Sequence, residues 1–123
     1  PNKSLPQLAR EINDLARRAR DNRLKPDDMT QATYTISNNG AFGTLITGAI
    51  ISPPQVAILS TDGVKKKPVV VESAAGDSVS IRPVGVLAQS FDHRAVDGAY
   101  SAAFLREVQT ALETRDWMQA LNS

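Results

Sequence analysis

Near its start the chain carries Leu5, Leu8, Ile12, Leu15 and Ala19 at intervals of three and four, one apolar stripe along a helix. The residues around its first turn supply the start signal. Ser4 can accept from first-turn amides, Gln7 can reach back, and Pro6 is tolerated in a first turn. Arg10 with Asp14, and Asp14 with Arg18, stand four apart on the wet side, each pair contributing about 0.2–0.5 kcal/mol. This predicts an amphipathic surface helix whose cationic face carries no function of its own. Asn22 and Pro26 with Asp27 and Asp28 predict the exit from that helix and a loop.

The period then changes. Thr33, Tyr34, Thr35 and Ile36 are β-branched or aromatic and predict a strand, after which Ser37, Asn38, Asn39 and Gly40 supply turn chemistry. Phe42 to Ile51 is apolar but broken by Gly43 and Gly48, and Pro53 with Pro54 stop any ladder before the run Val56, Ala57, Ile58 and Leu59. Short strands joined by tight loops are expected there. Val64 to Val71 and Val79 to Phe91 predict two further strands joined by a hairpin connection at Ala74, Ala75, Gly76 and Asp77. After Asp97 and Gly98 a helical face returns in Ala99, Tyr100, Ala103, Phe104, Val108, Ala111 and Leu112, with Arg106, Glu107 and Glu113 away from it. The order helix, several strands, helix predicts an α+β fold with a mixed or antiparallel sheet.

Composition narrows the chemistry. With 123 residues, one compact domain is expected, and at this size folding hides only about two thirds of the surface, so help from neighbouring subunits is expected too. A net charge of +1 is too balanced for a nucleic-acid surface. No Cys and one His exclude thiolate nucleophiles, disulfides, Cys-ligated metals and a His-rich zinc site. There is neither a membrane-length apolar run nor a signal-peptide pattern. Pro1 in place of Met, with a helix start so close behind it, suggests a piece of a longer chain, from which targeting information could have been lost.

The informative stretch is Ser90, Phe91, Asp92, His93, Arg94, Ala95, Val96, Asp97 and Gly98, where a strand gives way to a helix. Such junctions hold reactive groups well, because the scaffold positions a side chain that the loop exposes. A lone His is by itself more often a surface or hydrogen-bonded core residue than a catalyst. Here its neighbours matter.

The string DHRAVDG resembles the active-site motif of the dihydrolipoamide acyltransferases of 2-oxo acid dehydrogenase complexes, and its HxxxDG core is shared with the related chloramphenicol acetyltransferases. Further segments resemble the same family in the same order: KSLPQLAREINDLARRARDNRLKPDDM, TYTISNNGAFGT and SPPQVAILSTDGVKKKPVV. The resemblance covers nearly the whole chain, but only the later part of the family's catalytic domain. It implies a two-layer α+β sandwich of the chloramphenicol-acetyltransferase-like type, with a mixed sheet flanked by helices. Residues 1–123 would be its C-terminal part, with no lipoyl domain and no peripheral-subunit-binding domain.

Roles follow position by position. The resemblance implies that His93 is the general base on the attacking thiol. A free thiol near pKa 8.5 is mostly protonated at neutral pH, where an ordinary imidazole near 6.5 can accept a proton; such a base contributes about 10²- to 10⁴-fold. Ser37, the hydroxyl of TISN, would stabilise the tetrahedral oxyanion, a contribution of about 10²- to 10³-fold in comparable sites; without the resemblance it reads as a turn or cap residue. Asp97 would hold the loop through an ionic contact, and beside Gly98 it also suits a helix N-cap. Asp92 and Arg94 are given only local ion pairing. Lys65, Lys66 and Lys67 read as a solvated strand end, with a coenzyme A phosphate contact as the minor reading.

The family's substrates would be coenzyme A and a lipoyl group carried on another domain, with no metal. Its partners would be two further copies in a homotrimer with the site between subunits, a lipoyl domain, and the 2-oxo acid dehydrogenase and dihydrolipoamide dehydrogenase subunits. No nucleic acid or membrane partner is expected, and a bacterial cytoplasm is favoured over a mitochondrial matrix. Two departures stand out. TGAIIS, with Gly48, Ala49 and Ser52, replaces the more usual TTPIIN, and the tail from Trp117 to Ser123 is less uniformly apolar than the family's, which predicts weaker association between trimers. The rival readings are acetyl transfer to a small hydroxyl acceptor and a non-catalytic trimeric assembly core.

Overall fold

A computed structural model describes residues 3–30 and 32–121. The chain divides into two compact units, one made of Thr33–Leu105 and the other of the segments on either side.

The flanking unit begins with α1, Leu5–Arg20. It starts as expected: Gln7 N donates to Ser4 Oγ at 3.4 Å and Ser4 N donates to Gln7 Oε1 at 2.9 Å, the reciprocal pair that satisfies two first-turn donors. The expected Arg10–Asp14 pair does not form. The expected Asp14–Arg18 pair forms at 2.9 Å, and Arg17 at 2.6 Å takes the place of Arg10, both from the C-terminal side, the better orientation of an acid–base pair on a helix. Arg18 also reaches Asp28 at 2.7 Å, and the expected loop there contains a short helix, α2, Pro26–Met29, started by Lys25 N donating to Asp28 Oδ2. The stripe of α1 stays open, with Leu8, Ile12 and Leu15 exposed. Near the other end, α4, Trp117–Leu121, lies against α1, and Trp117 Nε1 donates to Leu112 O at 3.1 Å. Asn122 and Ser123 of the tail lie outside the described residues.

In the other unit β1, Thr35–Asn38, pairs in parallel with β2, Ala57–Thr61, which pairs antiparallel with β5, Leu87–Phe91. The three-stranded sheet β1-β2-β5 is therefore mixed. Its middle strand is the core: Ala57, Ile58, Leu59 and Ser60 are buried in succession, as a strand covered on both faces must be. A separate antiparallel pair is formed by β3, Lys65–Val71, and β4, Ser78–Val84, joined through the expected turn, where Gly76 takes φ +112°.

Three expectations need correction. Ser37 and Asn38 belong to the strand, because the ladder to β2 runs through Asn38↔Thr61 and the turn starts only at the short 3-10 segment Gly40–Phe42. Phe42 to Ile51 forms no strand; Gly43 takes φ +69° and the segment is tied by side chains described below. Val79 to Phe91 is two strands rather than one, because β4 and β5 belong to different sheets and the chain turns at Gly85 and Val86.

The last element is α3, Gly98–Thr114. Its covered side matches the expected apolar face only at Val108, which is half-buried: Tyr100, Phe104 and Leu112 are exposed, whereas Ser101 is buried and Leu105 half-buried. A serine at the centre of the covered face hides it from a hydropathy pattern. No helix among the described residues is long and apolar enough to cross a membrane.

Candidate active site

His93 stands on a turn between the end of β5 and the start of α3, and the turn is built by its neighbours. Asp92 N donates to Val56 O at 2.8 Å, which continues the β2–β5 ladder one step past the strand. Asp92 O then accepts from Ala95 N at 2.9 Å and Val96 N at 3.1 Å, closing the turn around His93. The Asp92 carboxylate takes Arg94 Nε on Oδ1 at 3.0 Å and an Arg94 terminal nitrogen on Oδ2 at 2.6 Å, a two-pronged pair. Hydrogen bonding to the Arg94 side chain and amide pulls the Asp92 carboxyl down to about 2. The pair locks the backbone on both sides of His93.

The His93 ring is exposed and rests against Phe91, with ring centroids 5.5 Å apart at 43°. Among the described residues its nitrogens hold no hydrogen bond, so the imidazole is open to an incoming group. Asp97 Oδ1 accepts from Tyr100 N at 2.7 Å, the N-cap geometry expected for a residue just ahead of Gly98. Among the described residues Asp97 forms no ion pair.

Ser37 lies on β1, half-buried, opposite Ser60 of β2. Among the described residues its hydroxyl makes no hydrogen bond. The sheet keeps it away from His93 of the same chain. Two strand spacings separate β1 from β5, about 10 Å across, and Asp92 sits level with Val56, four residues along β2 from Ser60, about 13 Å. Ser37 and Asp92 are therefore about 16 Å apart, more than the one residue from Asp92 to His93, about 4 Å, and the two side chains, about 7 Å together, can span. One chain does not bring Ser37 and His93 together, whereas it does bring Asp97 to the helix that follows the His93 turn.

Sequence reasoning missed several supporting groups. Gln89 on β5 accepts from Tyr34 Oη at 3.0 Å and donates to Ser101 Oγ at 3.2 Å, tying the first turns of α3 to the strand that leads to His93. The Tyr34 and Phe104 rings add an edge contact at 6.0 Å, and burial pushes the Tyr34 hydroxyl pKa up. Asp62, just past β2, collects the hydroxyls of Thr44 and Thr47 and the amide of Thr47. A polar run after an apolar strand was the only signal for Asp62, and it reads equally well as a turn. Lys65 Nζ donates to Gly43 O at 3.1 Å, so the first of the three lysines is a strand-end contact.

A model of the 2-oxoacid dehydrogenases acyltransferase (catalytic domain) family matches residues 1–121. The chain belongs to this acyltransferase family. It is similar to the dihydrolipoyllysine-residue acetyltransferase component of the pyruvate dehydrogenase complex of Corynebacterium glutamicum, at 42% identity over 114 residues, 93% of this chain and 17% of that protein. The crystal structure of a probable dihydrolipoamide acetyltransferase from Listeria monocytogenes matches with a TM-score of 0.85 at 36% identity, covering 91% of this chain and 46% of that one. A dihydrolipoamide acetyltransferase from Azotobacter vinelandii, studied for the role of a serine, a histidine and an asparagine in its catalytic mechanism, matches with a TM-score of 0.83 at 33% identity, covering 98% of this chain and 47% of that one. The acyltransferase chain described here thus spans less than half of either solved relative and a smaller share of the curated one.

Proposed function

We propose that the chain is the C-terminal part of an acyltransferase catalytic domain that moves an acyl group between S-acyl-dihydrolipoamide and coenzyme A in the core of a 2-oxo acid dehydrogenase complex. Its fold would be completed as the two-layer chloramphenicol-acetyltransferase-like sandwich. His93 takes the proton of the attacking thiol. The sulfur then forms a bond to the thioester carbonyl carbon, and the oxygen becomes an oxyanion that accepts a hydrogen bond from Ser37 Oγ. Collapse breaks the old carbon–sulfur bond, and the leaving thiolate recovers the proton from His93. Asp97 caps α3 and so steadies the loop that carries His93.

The observation that carries this reading is the open imidazole on a turn fixed by Asp92, Arg94 and the capped start of α3. The Azotobacter relative, where a serine, a histidine and an asparagine were studied for their roles in catalysis, supports the choice of residue types. The separation of Ser37 from His93 within one chain supports a site shared between copies, in a homotrimer. So does the exposure of Ile36, Phe42, Ile46 and Ile50 on and after the strand that holds Ser37, since exposed apolar groups of this number mark contact surfaces. A lipoyl domain and the two dehydrogenase subunits are the proposed partners, and a bacterial cytoplasm the proposed location.

The test is acceptor choice. With acetyl or succinyl coenzyme A as donor, the purified protein should acylate dihydrolipoamide and leave a small alcohol acceptor untouched. Preference for the alcohol would favour the acetyltransferase rival, and transfer to neither would favour an assembly core.

A further inference from the structure

Asp62 is only 6% exposed, and a carboxylate so placed needs donors around it. Among the described residues it forms no ion pair. Its partners are neutral: Thr44 Oγ1 and Thr47 Oγ1 donate to Oδ1, the second at 2.7 Å, and Thr47 N donates to Oδ2 at 3.0 Å. The Thr44 hydroxyl first, then the hydroxyl and amide of Thr47, hold the Asp62 carboxyl below its ordinary range. The same segment is tied at other points. Ser60 Oγ donates to Thr47 O at 2.7 Å, Gly63 N donates to Thr44 O at 2.9 Å, and Thr44 Oγ1 lies 3.1 Å from Asn39 O. A side chain on Gly63 would press on that Thr44 carbonyl, with a Cβ at 3.2 Å.

This clamp is tied to the end of the strand that carries Ser37, through Thr44 Oγ1 at Asn39 O and Asn39 N donating to Thr61 O. Ser37 and Ser60 are register partners on adjacent parallel strands, so their side chains leave the sheet on the same face. The Ser60 hydroxyl reaches Thr47 O at 2.7 Å and lies 3.3 Å from Ala88 O, so Thr47 lies over that face at Ser60, one strand from Ser37. The Ser37 hydroxyl has no hydrogen-bond partner among the described residues, so its rotamer depends on the wall around it.

We propose that Asp62 is a positioning residue for the Ser37 hydroxyl, acting through the Thr44–Thr47 segment; this rests on the reading of Ser37 as the oxyanion donor. The test is a double-mutant cycle on the assembled protein, measuring kcat and KM for acyl transfer from acetyl or succinyl coenzyme A to dihydrolipoamide. Asp62→Asn keeps the size and removes the charge. It should lower kcat by about 10- to 30-fold with both KM values within about twofold, a fraction of the loss from deleting an oxyanion donor outright. In a Ser37→Ala background the same change should cost less than about twofold, because the group it serves is gone. Thr47→Val, which keeps the carboxylate and removes one donor, should follow the same pattern at smaller size, and it carries the test if Asp62→Asn does not assemble. An equal loss in both backgrounds, for whichever variant assembles, would mean general support of the fold and overturn the proposal. If Ser37→Ala lowers kcat but neither clamp variant does, the proposal alone fails. If Ser37→Ala leaves kcat unchanged, the oxyanion reading fails and takes the proposal with it.

Discussion

Mixing two inactive variants should restore activity. His93→Ala removes the base and should cost about 10²- to 10⁴-fold, and Ser37→Ala removes the oxyanion donor and should cost about 10²- to 10³-fold. Within one chain Ser37 lies about 16 Å from Asp92, the neighbour of His93, across β1, β2 and β5, more than one further residue and both extended side chains can span. With Ser37 and His93 in the proposed roles, a working pair comes from two chains. In a ring of copies mixed at equal amounts, each interface draws its histidine from one chain and its serine from the next, independently. About one quarter of interfaces then hold both intact groups, whatever the number of copies in the ring. The assay is to unfold the two variants together, refold them and follow coenzyme A release by thiol titration. Recovery to about 25% of the wild-type rate is expected, against about 1% or less for either variant refolded alone. No recovery from a sample that has demonstrably exchanged subunits would refute the shared site.

Other consequences are independent of that one. Leu59 is 6% exposed on the central strand, so Leu59→Ala should lower unfolding free energy by about 3 kcal/mol in denaturant titrations; a change under about 1 kcal/mol would show that β2 is not the core. The Asp92 carboxyl is lowered from 3.8 to about 2, so its contribution is complete above about pH 4 to 5 and is lost as pH falls through about 2. In carboxyl NMR titrations Arg94→Ala should move the Asp92 midpoint back up toward the ordinary value, and an unmoved midpoint would show that Arg94 is not its cause. The tail from Trp117 carries Gln119 and Asn122 among its apolar residues, so light scattering should find trimers rather than a large particle.

The sequence alone located the motif and most elements, and its misses share one origin. Ser4 with Gln7 announced α1 because capping is local, and Asp97 beside Gly98 announced α3 for the same reason. The sequence places Ser37 in a turn because Ser, Asn, Asn and Gly are turn residues. It is in a strand because β2, some twenty residues later, extends the ladder through Asn38. Val79 to Phe91 reads as one apolar run, and only pairing with different partners divides it. The covered side of α3 is centred on Ser101, which a hydropathy pattern excludes by construction. Asp62 is not legible in the sequence because a short polar run shows no sign of the two threonines that fold back onto it. The His93 turn was found by its residue types, while the distance from Ser37 required the strand order.

The most direct measurement is the single-turnover rate of acyl transfer from acetyl or succinyl coenzyme A to dihydrolipoamide by His93→Ala, in a sample whose assembly matches the unaltered protein. The imidazole as base predicts a loss of about 10²- to 10⁴-fold. A rate equal to that of the unaltered protein would contradict it.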